Sequence, residues 1–179
     1  MDAPFDLLTL ALLPDVGSRA ARELRARGPL AELLARPGEH ADLLPGAAVR
    51  KLRSGEVRRE AEEELARARR GGIHIVGCDE PGYPGWLRRI YDPPPVLYVR
   101  GTLPDGRGLP GVAVVGARAA SPAGRALAAG IGRDLAAAGV PVVSGLARGI
   151  DSAAHRGALE AGGPTVAVLG SGLDRLYPP

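Results

Sequence analysis

Between Val112 and Leu169 three apolar runs alternate with two stretches of helical spacing, and this pattern narrows the possible folds more than any other feature. The runs are Val112–Val115, Val140–Val143 and Thr165–Leu169, apolar almost throughout. A strand without polar alternation has both faces buried, the condition met in parallel sheets. The first intervening helix is expected from Pro122 to Ala138, with Ala123, Leu127, Ile131 and Leu135 four apart, and the second from about Asp151 to Ala161. Strand–helix–strand repetition of this kind predicts half of a doubly wound α/β fold, a parallel sheet covered by helices on both faces. Gly130 and Gly132 lower helix propensity, and the expectation is that they let the first helix lie close against the sheet.

In such sheets ligands bind beyond the carboxyl ends of the strands. All three strands here end in loops of small residues: Gly116-Ala117-Arg118-Ala119-Ala120-Ser121, then Ser144-Gly145-Leu146-Ala147-Arg148-Gly149-Ile150-Asp151, then Gly170-Ser171-Gly172-Leu173-Asp174. Ser121 and Pro122 read as the N-cap and first position of a helix. A helix start presents unpaired backbone N–H groups, which attract anions and phosphate above all. Arg118 and Arg148 add guanidinium groups suited to phosphate oxygens or to stacking on a base. The first loop alone is equally compatible with a plain strand-to-helix turn; three such loops at one sheet edge predict a binding site.

The chemistry expected there is binding. Neither G-x-G-x-x-G nor G-x-x-x-x-G-K-[ST] occurs, which weighs against a dinucleotide oxidoreductase and a P-loop ATPase. Ser121 and Ser144 lack the G-x-S-x-G setting of a hydrolase nucleophile. Asp151 and His155 lie four apart on one helix face, but two ligands do not make a metal site and no third is evident. Their expected roles are structural, Asp151 charging the helix N-terminus and pairing with His155 to fix the loop. No catalytic residue, metal or cofactor is assigned.

Residues 1–70 read as short helices. An apolar run from Phe5 to Leu13 is broken by Pro14, and Ser18 is placed to cap a helix from Arg19 to Arg27 that buries Ala20, Ala21 and Leu24. Further helices are expected over Leu30–Ala35, Ala47–Arg53 and Glu56–Arg70, the last with Val57, Ala61, Leu65 and Ala68 on its buried side. The segment L-P-D-V-G-S-R-A-A-R-E-L resembles a helix-hairpin-helix, with Asp15 where the first of the usual two glycines stands. Gly71-Gly72 marks the expected domain boundary, followed by a short strand at Ile73–Val76, a connector from Asp79 to Pro95 and a strand at Val96–Val99. Tyr83, Trp86, Ile90 and Tyr91 anchor the connector, and packing is favoured over base stacking for them.

With aromatics at 3 % of 179 residues, the core has to be built from Ala, Val, Leu and Ile. A net charge of +3 permits a nucleic-acid partner without requiring one. Cys78, the single cysteine, excludes an internal disulfide and fits a reducing, cytoplasmic setting. There is no export signal and no run of about 18 apolar residues, so no membrane association is expected.

The runs V-A-V-V-G-A-R-A-A-S-P-A-G, V-V-S-G-L-A-R-G-I-D-S-A-A-H-R-G-A-L and T-V-A-V-L-G-S-G-L-D-R-L-Y-P-P closely resemble the bacterial DNA-processing protein A (DprA/Smf) family. Tyr83-Pro84, Asp92-Pro93-Pro94 and Leu97–Gly101 fit the same family, so the resemblance runs from about Gly71 to Pro179. It implies a small all-α SAM-like or helix-hairpin-helix domain over 1–70, then a Rossmann-like DNA-binding domain over 71–179 opened by the segment 71–110. It further implies a non-enzymatic protein that binds and protects incoming single-stranded DNA in natural transformation and helps load the RecA recombinase. Carried onto this chain, Gly116, Ala117, Arg118 and Ser121 would hold DNA phosphates. Ser144, Gly145, Ala147, Arg148 and Gly149 would form the adjoining wall, with Gly170 and Gly172 on the third loop. The sheet would be incomplete, as in a chain shortened at its C-terminal end near Pro178-Pro179, and the homodimer and RecA contact of the family are therefore in doubt here. The alternative is a related Rossmann-like enzyme hydrolysing nucleoside monophosphates, whose P-G-G-x-G-T-x-x-E motif is absent from the sequence.

Overall fold

A computed structural model describes residues 3–104 and 110–175. The C-terminal Tyr177-Pro178-Pro179 and most of the loop expected from Pro104 to Pro110 lie outside the described residues. The chain forms two compact units, Met1–Thr102 and Leu103–Pro179.

The first unit begins with α1 (Ala3–Ala11), α2 (Ser18–Arg27), α3 (Leu30–Ala35), a 3-10 turn at Pro37–His40, α4 (Gly46–Arg53) and α5 (Glu56–Arg70). Its core is aliphatic, as the shortage of aromatics requires. Leu10, Leu13, Leu24, Leu34, Leu44, Ala48, Leu52 and Val57 pack together and are all buried. Each buried leucine contributes roughly 1.5–3 kcal/mol relative to remaining in water. Ser18 is not the cap of α2: the N-cap is Gly17, and Ser18 is already inside the helix. Asp15 closes the preceding turn at φ 57°, a left-handed conformation that usually favours glycine.

The composition shift at Gly71-Gly72 coincides with the end of α5, but contacts group residues 71–102 with the helices. There β1 (His74–Gly77) pairs antiparallel with β2 (Val96–Val99), His74 opposite Val99 and Gly77 opposite Val96. Between them runs the connector, with one helical turn, α6 (Gly85–Arg88). Leu7, Cys78 and Tyr83 form a second buried cluster under the strand pair, joined by Val76, Val96 and Leu97. Tyr83 donates its hydroxyl to Pro94 O at 2.8 Å, and burial pushes its pKa up to about 12.

The second unit contains β3 (Val112–Ala113), α7 (Pro122–Ala137), β4 (Val142–Ser144), α8 (Ile150–Glu160) and β5 (Thr165–Ala167). The three strands are parallel in the order β3-β4-β5, with Val112 opposite Val142 and Val142 opposite Thr165. This is the expected α/β architecture, with a correction to its layering. Two successive crossovers of one hand in this strand order place both helices on the same face. They pack on each other there: Gly132 of α7 abuts the Ala154 backbone of α8, and Gly157 of α8 abuts Ala129. On the other face Val115 and Val168 are 72 % and 63 % exposed.

The buried side of α7 is made of small residues. Ala128, Gly132 and Ala136 are buried, whereas Leu127 is 67 % and Ile131 40 % exposed. Backbone-to-backbone approach of α7 and α8 admits only small side chains at the contact, so Leu127 and Ile131 face out while Leu135 packs against the edge of the core. Gly132 therefore serves the helix–helix contact and not the sheet, and a side chain at Gly130 would meet nothing. Among the described residues no helix is long and apolar enough to cross a membrane.

Candidate functional site

Parallel strands place the loops after β3, β4 and β5 at one sheet edge, and a hydrogen-bond frame ties them together. The carboxylate of Asp151, in the first turn of α8, is 6 % exposed. One of its oxygens accepts from Gly116 N at 3.3 Å in the first loop, the other from Gly145 N at 3.1 Å in the second. Ser144 donates its hydroxyl to Val114 O at 2.6 Å, and its own carbonyl accepts from Val168 N at 2.8 Å on the way to the third loop. Ile150 N donates to Ala117 O at 3.3 Å. Gly149, at φ 88°, brings its backbone against the carbonyls of Ala117 and Arg118, where any side chain would collide. Leu146 stands at φ 57°, a strained setting for a branched residue in a loop.

Ser121 is the N-cap of α7, accepting from Gly124 N at 3.1 Å, with Pro122 in the first turn as expected. Arg118 and Arg148 are exposed and, among the described residues, make no hydrogen bond or ion pair. Ala117 and Gly116 are exposed beside Arg118, and Ala147 is half-buried, its carbonyl accepting from Ser152. Gly170 and Gly172 are exposed on the third loop. Ser144 alone among the expected ligands is directed into the fold, its hydroxyl engaged between strands.

Asp151 and His155 do not pair with each other. The carboxylate is taken by two backbone N–H groups, and His155 Nδ1 lies 2.5 Å from Thr165 Oγ1. The Thr165 hydroxyl donates to Val142 O at 3.0 Å, which leaves its oxygen to accept from the His155 N–H. Burial holds the His155 pKa below the ordinary 6.5, so the ring is neutral at pH 7 and clamps α8 to β4 and β5.

Beside the loops, an open cleft of about 470 Å³ between α7 and α8 is lined by Arg125, Arg148, Gly149, Ser152 and Arg156, with Glu160 at one end. Glu160 is paired with Arg133 at 3.0 Å, and Arg125 donates to Ala120 O at 2.6 Å. Arg125 and Arg156 were not singled out in the sequence. The four-residue spacing of Ser152 and Arg156 was the available signal, since it places them on one face of α8, with Arg148 in the loop just before it. Exposed arginines with backbone amides attract polyanions. Both Asp151 oxygens are engaged by backbone N–H groups, and His155 is buried with Nδ1 against Thr165 and Nε2 without a partner.

The sequence profile of the family described as DNA recombination-mediator protein A matches residues 74–179. The chain belongs to this family. Among curated relatives, protein Smf of Synechocystis is 43 % identical over 104 residues, 56 % of this chain and 26 % of that protein. The DNA processing protein DprA of Streptococcus pneumoniae is 49 % identical over 100 residues, 54 % of this chain and 33 % of its own length. The Bacillus subtilis DprA is 35 % identical over 117 residues, 64 % of this chain and 38 % of that protein. The chain thus spans well under half of the curated relatives it matches. The X-ray structure of DNA processing protein A from Streptococcus pneumoniae superposes with a TM-score of 0.70 at 30 % identity, covering 99 % of this chain and 61 % of the other. All three strand-end loops of this DNA recombination-mediator protein A relative fall inside the profile match. Its helices before residue 74 lie outside that match but inside the structural superposition.

Proposed function

We propose that this chain binds single-stranded DNA through the strand-end loops of its second unit and acts, without catalytic turnover, as a recombination mediator. The observation that carries this reading is the pair of exposed arginines, Arg118 and Arg148, set on loops that Asp151 ties together by two backbone N–H groups. Amides and guanidinium groups hold a phosphate backbone without reading sequence, which suits a protein that must accept any incoming strand. Such binding would protect the strand and help load RecA. The helices of residues 1–70 would form the SAM-like or helix-hairpin-helix module, and the setting would be the cytoplasm. Competition in fluorescence anisotropy tests it: a labelled oligothymidine should be displaced by unlabelled single strand at lower concentration than by duplex. Equal displacement by the duplex, or by mononucleotides alone, would contradict it.

A further inference from the structure

Of the aromatics expected to anchor the connector, only Tyr83 is buried. Trp86 is 57 %, Ile90 49 % and Tyr91 76 % exposed. All three exposed groups fall on the six-residue segment Trp86–Tyr91, which begins in α6. Both exposed rings are backed by guanidinium groups. Arg22 of α2 lies 4.2 Å over the Tyr91 ring and donates to Tyr91 O at 2.8 Å and to its hydroxyl at 3.1 Å. Arg89 lies 5.1 Å over the Trp86 ring. Each ring is thus held by a cation on one side, and neither is buried in the core. Asp92 is the one acid in the segment 84–92, against Arg88 and Arg89.

Two exposed, cation-backed rings within six residues match the needs of unpaired bases. Bases stack on aromatic faces regardless of sequence, while arginines beside the rings neutralise the phosphates. In a duplex the base faces are already stacked, so such a platform distinguishes single strands from double strands. The amides and arginines at the strand ends contact phosphates, which both forms carry. We propose that Trp86 and Tyr91 form a base-stacking platform for single-stranded DNA on the first unit. This rests on the reading that the chain binds single strands, and it supplies the strand selectivity that phosphate contacts lack.

Trp86 is the only tryptophan, so intrinsic tryptophan emission reports on this segment alone. Titration of the whole chain with unlabelled oligothymidine should quench that emission saturably, with the midpoint found by anisotropy, and an abasic strand of equal length should not quench it. Trp86→Ala and Tyr91→Ala should each weaken single-strand binding about fivefold or more, and Trp86→Phe should restore most of it. These side chains lie outside the core, and unchanged circular dichroism would confirm that the variants fold. Binding with unaltered emission, and with both alanine variants at full affinity, would overturn the platform while leaving the strand-end site standing. Emission that shifts with protein concentration alone would mark a second copy of the chain as the occupant and overturn it too. Absence of any binding in anisotropy would overturn both readings together.

Discussion

Asp151 holds two loops with one carboxylate, and that economy makes single residues at this sheet edge unusually consequential. Asp151→Asn keeps one acceptor but puts an amide N–H against a backbone N–H, so one of the bonds to Gly116 and Gly145 is lost. Losing a buried partner of this kind costs about 1–3 kcal/mol, to be read as a lowered denaturant midpoint. Gly149→Ala should cost at least about 1–3 kcal/mol from its backbone conformation alone, with the collision against the Ala117 and Arg118 carbonyls added. His155 gives the second unit a pH dependence. Its folded pKa lies below the ordinary 6.5, so its contribution is complete above that value and is lost as the pH falls through the folded pKa. Melting temperature against pH should therefore show an acid limb that His155→Gln, which keeps a donor for Thr165, flattens.

At the scale of elements, α7 and α8 show where sequence pattern and packing part company. Leu127, Ile131 and Leu135 have the spacing of a buried stripe, yet the helices meet through Ala128, Gly132 and Ala136. Burying bulk and bringing two backbones together are competing solutions, and periodicity of apolar residues reveals only the first. Leu127→Gln should accordingly change stability by less than about 0.5 kcal/mol, while Ala128→Leu should cost about 1–3 kcal/mol by overpacking, both measured by urea unfolding. The helix limits of the first unit were more legible. Leu30–Ala35 and Glu56–Arg70 end at proline and glycine signals and were placed to the residue. The strand-end loops were legible for the same reason, because small residues after apolar runs leave few alternatives. The α7–α8 cleft was not, since Arg125 and Arg156 come together only when two helices pack. Trp86 and Tyr91 misled in the opposite direction, for an aromatic in a proline-rich connector has no periodicity to tell its buried side from its wet one.

For the whole molecule, one compact unit holds the aliphatic helical core and the other holds the α/β edge on which phosphate binding is proposed. Leu24→Ala, in the first of these cores, should cost about 2–5 kcal/mol of that unit's stability. The central claim concerns the second unit, and the salt dependence of binding tests it most directly. Each phosphate neutralised contributes about 0.7 to the slope of log affinity against log salt for a single strand. Anisotropy of a labelled oligothymidine over a salt series should give a steep slope for the unaltered chain and a shallower one, with weaker binding, for Arg118→Ala and for Arg148→Ala. Identical slopes and affinities in all three proteins would place the phosphates elsewhere and contradict the account.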